Sequence, residues 1–106
     1  MRRLSCLAMC ALFAIAAPAH AVTGNEYRTF SSVERLAWIL GMVDGMLTAQ
    51  VILTNKKPPL ADCLAKFQPQ QIRAMFEKAL DNEPQLWHFP AGYAFHSAFQ
   101  KYCGLE

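Results

Sequence analysis

Three stretches of the chain carry a legible hydrophobic rhythm. The plainest is QPQQIRAMFEKALDNEP, where Ile72, Met75, Phe76, Ala79 and Leu80 fall at i, i+3, i+4, i+7 and i+8. That spacing predicts one amphipathic helix, opened by Pro69 in its first turn and closed by Asn82 and Pro84. A second helix is predicted from about Pro90 to Tyr102, with Ala91, Ala94, Phe95, Ala98, Phe99 and Tyr102 on a packed face and Gly104 as terminator. The third stretch, Val33 to about Leu53, has no proline and starts behind Ser31 and Glu34, the spacing of a capping box. It is apolar nearly all round, a pattern expected of a helix buried on several sides. Val22 to Phe30 shows no period and reads as a loose lead-in, with Tyr27 and Phe30 as packing handles. No segment alternates as a strand does, so the expectation is a small all-α bundle of three to four helices in a single domain.

Within the long helix, Ala37, Gly41, Gly45 and Ala49 recur every fourth residue. Small residues at that spacing form a trough that a second backbone can enter. The expectation is a close crossing within the chain, with a homodimer seam as the alternative. Asp44 projects among these apolar positions, and a carboxylate there is expected to need a partner. The two readings are a hydrogen-bond acceptor for a neighbouring loop or helix start, and a catalytic acid.

The first residues change the count of what folds. Arg2 and Arg3 precede an apolar run to about Ala17, followed by Ala19-His20-Ala21, the layout of a cleaved secretory leader over residues 1–21. The run is shorter than the ~20 residues that span a bilayer, so no stable membrane anchor is expected after cleavage. The remaining domain, residues 22–106, has eight basic and eight acidic side chains. A neutral balance gives no basic face for nucleic acid.

A domain of 85 residues buries a limited core and is expected to need covalent help. Cys6 and Cys10 leave with the leader; Cys63 and Cys103 remain. In an exported protein that pair is expected to form a disulfide; a reactive or metal-binding thiol pair is the rival reading. His88 and His96 are eight apart, a spacing that fits neither a helical metal pair nor a turn motif. No glycine-rich phosphate loop or nucleophile elbow is present, so neither a cofactor nor an enzyme is expected.

Between the helices lie two punctuated stretches. TNKKPPLAD is a stiff, exposed connector. LWHFPAGYAFH reads as a corner, with Trp87 and Phe89 wedged between two helices.

At this corner the chain resembles the Rap/Tai-type immunity proteins, small exported helical proteins that neutralise type VI secretion effectors, notably peptidoglycan amidases. The resemblance rests on Glu83-Pro84, Pro90-Ala91, Ala98 and Cys103, on GMVDG (Gly41 to Gly45) in an earlier helix, and on Cys63 before the next. It covers roughly Glu34 to Cys103; the closing tripeptide is Lys101-Tyr102-Cys103 where relatives have F-P-C. It implies a periplasmic inhibitor whose partner is an amidase-like effector, with Gly41, Asp44, Gly45, Pro90 and Ala91 as scaffold. Candidate contacts are Lys56, Lys57 and Pro59 in the connector and Glu83, Trp87 and His88 in the corner, chosen for exposure and proline stiffness. A periplasmic acid-stress chaperone, also small, helical and single-disulfide, is the second expectation.

Overall fold

A computed structural model describes residues 21–106; the cleaved leader expected over residues 1–21 lies outside them except for Ala21. The described residues form five α-helices: α1 (Gly24–Thr29), α2 (Ser32–Thr54), α3 (Pro59–Leu64), α4 (Pro69–Asn82) and α5 (Ala91–Tyr102). A 3-10 turn, Pro84–His88, joins α4 to α5. The architecture is all-α, with one or two more helices than the pattern predicts.

Each helix boundary has a local cause. Ser31 Oγ accepts from the Glu34 amide at 3.3 Å while Glu34 Oε2 accepts from the Ser31 amide at 3.1 Å, the predicted reciprocal cap of α2. Asn55, at φ 53°, closes α2 in the left-handed region and sends its amide back to Val51. Gly104, at φ 64°, ends α5 as expected. In α4 the face Ile72, Phe76, Ala79 and Leu80 is buried, with Met75 half-buried beside it.

The core is an aromatic chain. Phe76 contacts Tyr27 at 5.0 Å between ring centroids and Phe95 at 5.3 Å; Phe95 stacks on Phe99 at 4.4 Å. All four rings are fully buried. Leu60 and Leu64 of α3 join this cluster. The predicted disulfide is present: Cys63, in α3, is bonded to Cys103 at the end of α5 with Cα atoms 6.0 Å apart. It closes a loop of forty residues, worth about 4 kcal/mol in the chain-entropy account.

The lead-in is not loose. Thr23 caps α1, its hydroxyl accepting from the Glu26 amide at 3.2 Å. Gly24 donates to the Phe89 carbonyl at 3.1 Å and Ala91 donates to the Val22 carbonyl at 2.6 Å, an antiparallel bridge pairing Thr23 with Pro90. Gly24 is required here: a Cβ would lie 2.9 Å from the Trp87 Cα, inside contact distance. A helix of six residues is too short to display a period, which is why pattern alone passes over it.

Three expectations about α2 are overturned. Only Ile39 is buried, so the helix is not enclosed on several sides. The trough Ala37–Gly41–Gly45–Ala49 does not hold an intrachain crossing: all four residues are exposed, and open space lies above Gly41 and Gly45. The body packs α4 against the opposite side, so the small residues look outward. Asp44 shares that outer arc and is exposed, so the burial that would have required a partner does not occur.

Candidate interaction surface

The outer side of α2 is the first component. At 100° per residue, Val33, Ala37, Leu40, Gly41, Asp44, Gly45, Thr48, Val51 and Ile52 fall on one arc, and all are exposed. Val33 is 79% exposed, Ile52 76% and Leu53 83%. By length and composition α2 is apolar enough to cross a membrane, with a mean hydropathy of 1.7 over a window only 6% buried. Apolar surface left uncovered to this extent is of the kind that contacts a protein partner or a membrane. Where α2 passes α5, Ala37, Trp38, Gly41 and Met42 face Val22, Pro90 and Gly92 across a shallow groove of about 500 Å³.

The connector is the second component. Lys56, Lys57 and Pro59 are exposed, and Lys57 Nζ pairs with Asp62 Oδ1 at 2.6 Å. Thr54 Oγ1 accepts from the Lys56 amide at 3.3 Å and donates to Gln50 O at 2.7 Å. With Gln50, Thr54 and Gln100, these residues line an open cleft of about 560 Å³. Pro58 and Pro59, the left-handed Asn55 and the nearby Cys63–Cys103 bond hold the segment stiff.

The corner residues separate from the connector and from one another. Trp87 is half-buried, donating from Nε1 to the Leu80 carbonyl at 2.7 Å under the Arg28 guanidinium, 3.6 Å from its ring centre. Glu83 pairs with Lys101 at 3.4 Å. Only His88 of these three is exposed. Phe89 does not wedge between helices: it is 47% exposed and lies against Tyr93, because the backbone pairing with Val22 and Gly24 turns the side chain out. Pro90 sits at the cap position of α5, and Ala91, fully buried, anchors the bridge.

A polar cluster missed by pattern reading gathers on Glu77. Its Oε1 accepts from the Tyr27 hydroxyl and from Arg35, both at 3.2 Å, and Arg73 Nε stands 3.8 Å away. That last separation allows charge attraction without a hydrogen bond, consistent with Arg73 Nε being buried and unpaired. Arg35 also donates to the carbonyls of Phe30, at 2.9 Å, and Arg28. Burial, then the Glu77 carboxylate, holds the Tyr27 phenol well above the ordinary tyrosine range. The cluster ties α1, α2 and α4 together beside an open cleft of about 540 Å³. Glu77 is the solvent-side neighbour of the α4 core face, so its only signal in the sequence is a charge beside an apolar stripe. His96 shares a 3.1 Å contact with Gln100 one turn on. Among the described residues no three His, Cys, Asp or Glu side chains cluster as metal ligands would.

Among the described residues, the fold and surface define a small all-α domain tied by one disulfide, with an apolar helix bare on one side and a stiff dibasic connector. Comparison with family models, curated proteins and solved structures finds no match.

Proposed function

We propose that this chain is an exported binding protein that inhibits by occlusion, working in the periplasm as an immunity protein against a peptidoglycan amidase effector of type VI secretion. The observation that carries the reading is the connector. Asn55–Pro59 is exposed except at the half-buried Pro58, dibasic, and braced by prolines, a left-handed cap and a disulfide-tied helix. An inhibitor needs such an element more than it needs chemistry, because a segment already held in its bound shape loses little entropy on docking. The Cys63–Cys103 disulfide is consistent with an oxidising compartment, and the resemblance supplies the partner class. No residue of this chain is assigned a catalytic role, and no cofactor is invoked.

The test is co-expression with a candidate peptidoglycan amidase effector, sought first among the genes adjacent to this one and directed to the periplasm. Exported wild-type protein is expected to protect and to bind the effector. Lys56→Glu with Lys57→Glu is expected to slow association and alter its salt dependence, whereas His88→Ala leaves protection intact. Wild-type protein that neither protects nor binds removes the reading, and full protection by a leaderless chain removes its periplasmic part.

The uncovered face of α2 favours a second reading, a periplasmic chaperone that holds unfolded chains under acid stress. Suppression of client aggregation at low pH, with no effector binding, would select it.

A further inference from the structure

We propose that the open cleft between α1 and α4 binds a short peptide with free ends, its carboxylate at Arg28 and its ammonium at Asp81 and Glu77. The cleft measures about 540 Å³, a volume within the range of small-molecule sites. Asn25, Arg28 and Thr29 of α1 and Arg35 of α2 line it together with Glu77, Leu80 and Asp81 of α4.

Most of its charges are held in place. The Arg28 guanidinium lies 3.6 Å from the centre of the Trp87 ring, and that ring is anchored by its 2.7 Å bond to the Leu80 carbonyl. A stacked guanidinium keeps its N–H edge for a further partner. Arg35 is fixed by the Phe30 and Arg28 carbonyls and by Glu77. Tyr27, Arg35 and Arg73 all meet Glu77 on Oε1, so Oε2 keeps its capacity to accept. Side chains already in position lose little entropy when a ligand arrives. Arg28 and Asp81 have no ion-pair partner among the described residues, and they do not pair with each other although both line one cleft. The cleft therefore offers one unused cation and one unused anion. An anion alone would be repelled by Glu77 and Asp81, and a cation alone by Arg28 and Arg35; a ligand carrying both signs answers each. A free amino acid holds both charges on one carbon, whereas Arg28 and Asp81 stand on separate helices, and a peptide backbone supplies the span. Neither the connector nor the bare side of α2 lends a residue, so the inference is independent of the inhibitory reading.

The experiment is an NMR titration of the exported, leader-free protein with trialanine at low salt. Saturable shifts are expected at the Trp87 indole N–H and at the backbone amides of Arg28 and Asp81. N-acetylated and C-amidated trialanine should each bind about fivefold more weakly, the worth of one well-held surface charge pair. Arg28→Gln should weaken trialanine to the same extent while costing the C-amidated peptide nothing further, and Asp81→Asn should stand in that relation to the N-acetylated peptide. Both side chains are exposed, and circular dichroism checks that each variant is folded. Alanine should bind more weakly than trialanine. The absence of saturable shifts at millimolar peptide overturns the proposal. So do shifts confined to another surface, equal binding of capped and free peptides, or alanine that binds as tightly as trialanine.

Discussion

Helix α4 and helix α2 pack against each other, yet they treat their apolar residues in opposite ways. In α4, Ile72, Phe76, Ala79 and Leu80 all turn inward and are buried, while Gln71, Lys78 and Asp81 face water. In α2 the apolar side chains ring the axis; one side finds the body, and Leu40, Val51, Ile52 and Leu53 do not. Composition alone would rank α2 as the more deeply buried helix. What decides burial is asymmetry: a one-sided stripe matches the one side a small body can cover, and apolar residues beyond it have nothing to pack on.

The sharpest test of the contrast is a single truncation. Phe76→Ala, at the centre of the aromatic chain, should destabilise the fold by about 3–5 kcal/mol, read by urea denaturation; a loss below about 1 kcal/mol would mean the body is looser than its packing. Next comes Gly24→Ala. Its new methyl would meet Trp87 backbone, and overpacking of that kind costs about 1–3 kcal/mol. An unchanged melting temperature would show that α1 can leave the body freely.

A smaller effect is expected at Tyr27→Phe, about 0.5–1.5 kcal/mol at neutral pH for the lost bond to Glu77. Its pH dependence has a definite sign. The folded phenol is raised above its unfolded value, so its contribution is complete below about pH 10 and is lost as pH rises further. Wild-type stability should therefore fall in alkali more steeply than that of Tyr27→Phe; parallel curves would contradict the assignment.

The smallest effect belongs to the open face. Gly41→Ala should not destabilise the fold, and by helix propensity should gain up to about 1 kcal/mol. A clear loss would mean that something covers Gly41.

The same asymmetry explains what was legible in the sequence. The α4 face, the α5 face apart from Tyr102, which is 46% exposed, the cap at Ser31 and the disulfide follow from rules that act within one turn or one compartment. The side of α2 left bare does not, because Ala37 and Gly41 look equally suited to a neighbour in the chain and to one outside it. In the candidate surface, the exposure of Lys56, Lys57 and Pro59 could be read from two prolines and two lysines. The inward hydrogen bond of Trp87 could not, since it depends on where the Leu80 carbonyl lies after α4 has ended. Glu77 is a third kind of case: its partners Tyr27 and Arg35 are distant in sequence and become neighbours only when α1 docks.

The backbone bridge between Thr23 and Pro90 bears on the order of assembly. A chain delivered amino-end first releases Val22 and Gly24 long before Phe89 and Ala91 are available to receive them. Until then α1 lacks its dock, and contacts between such distant segments form slowly. The last helix thus acts as the latch of the whole molecule. A nascent or truncated chain ending before Phe89 would leave α1 without its backbone anchor, with Tyr27 short of the fully enclosed site it occupies in the finished protein.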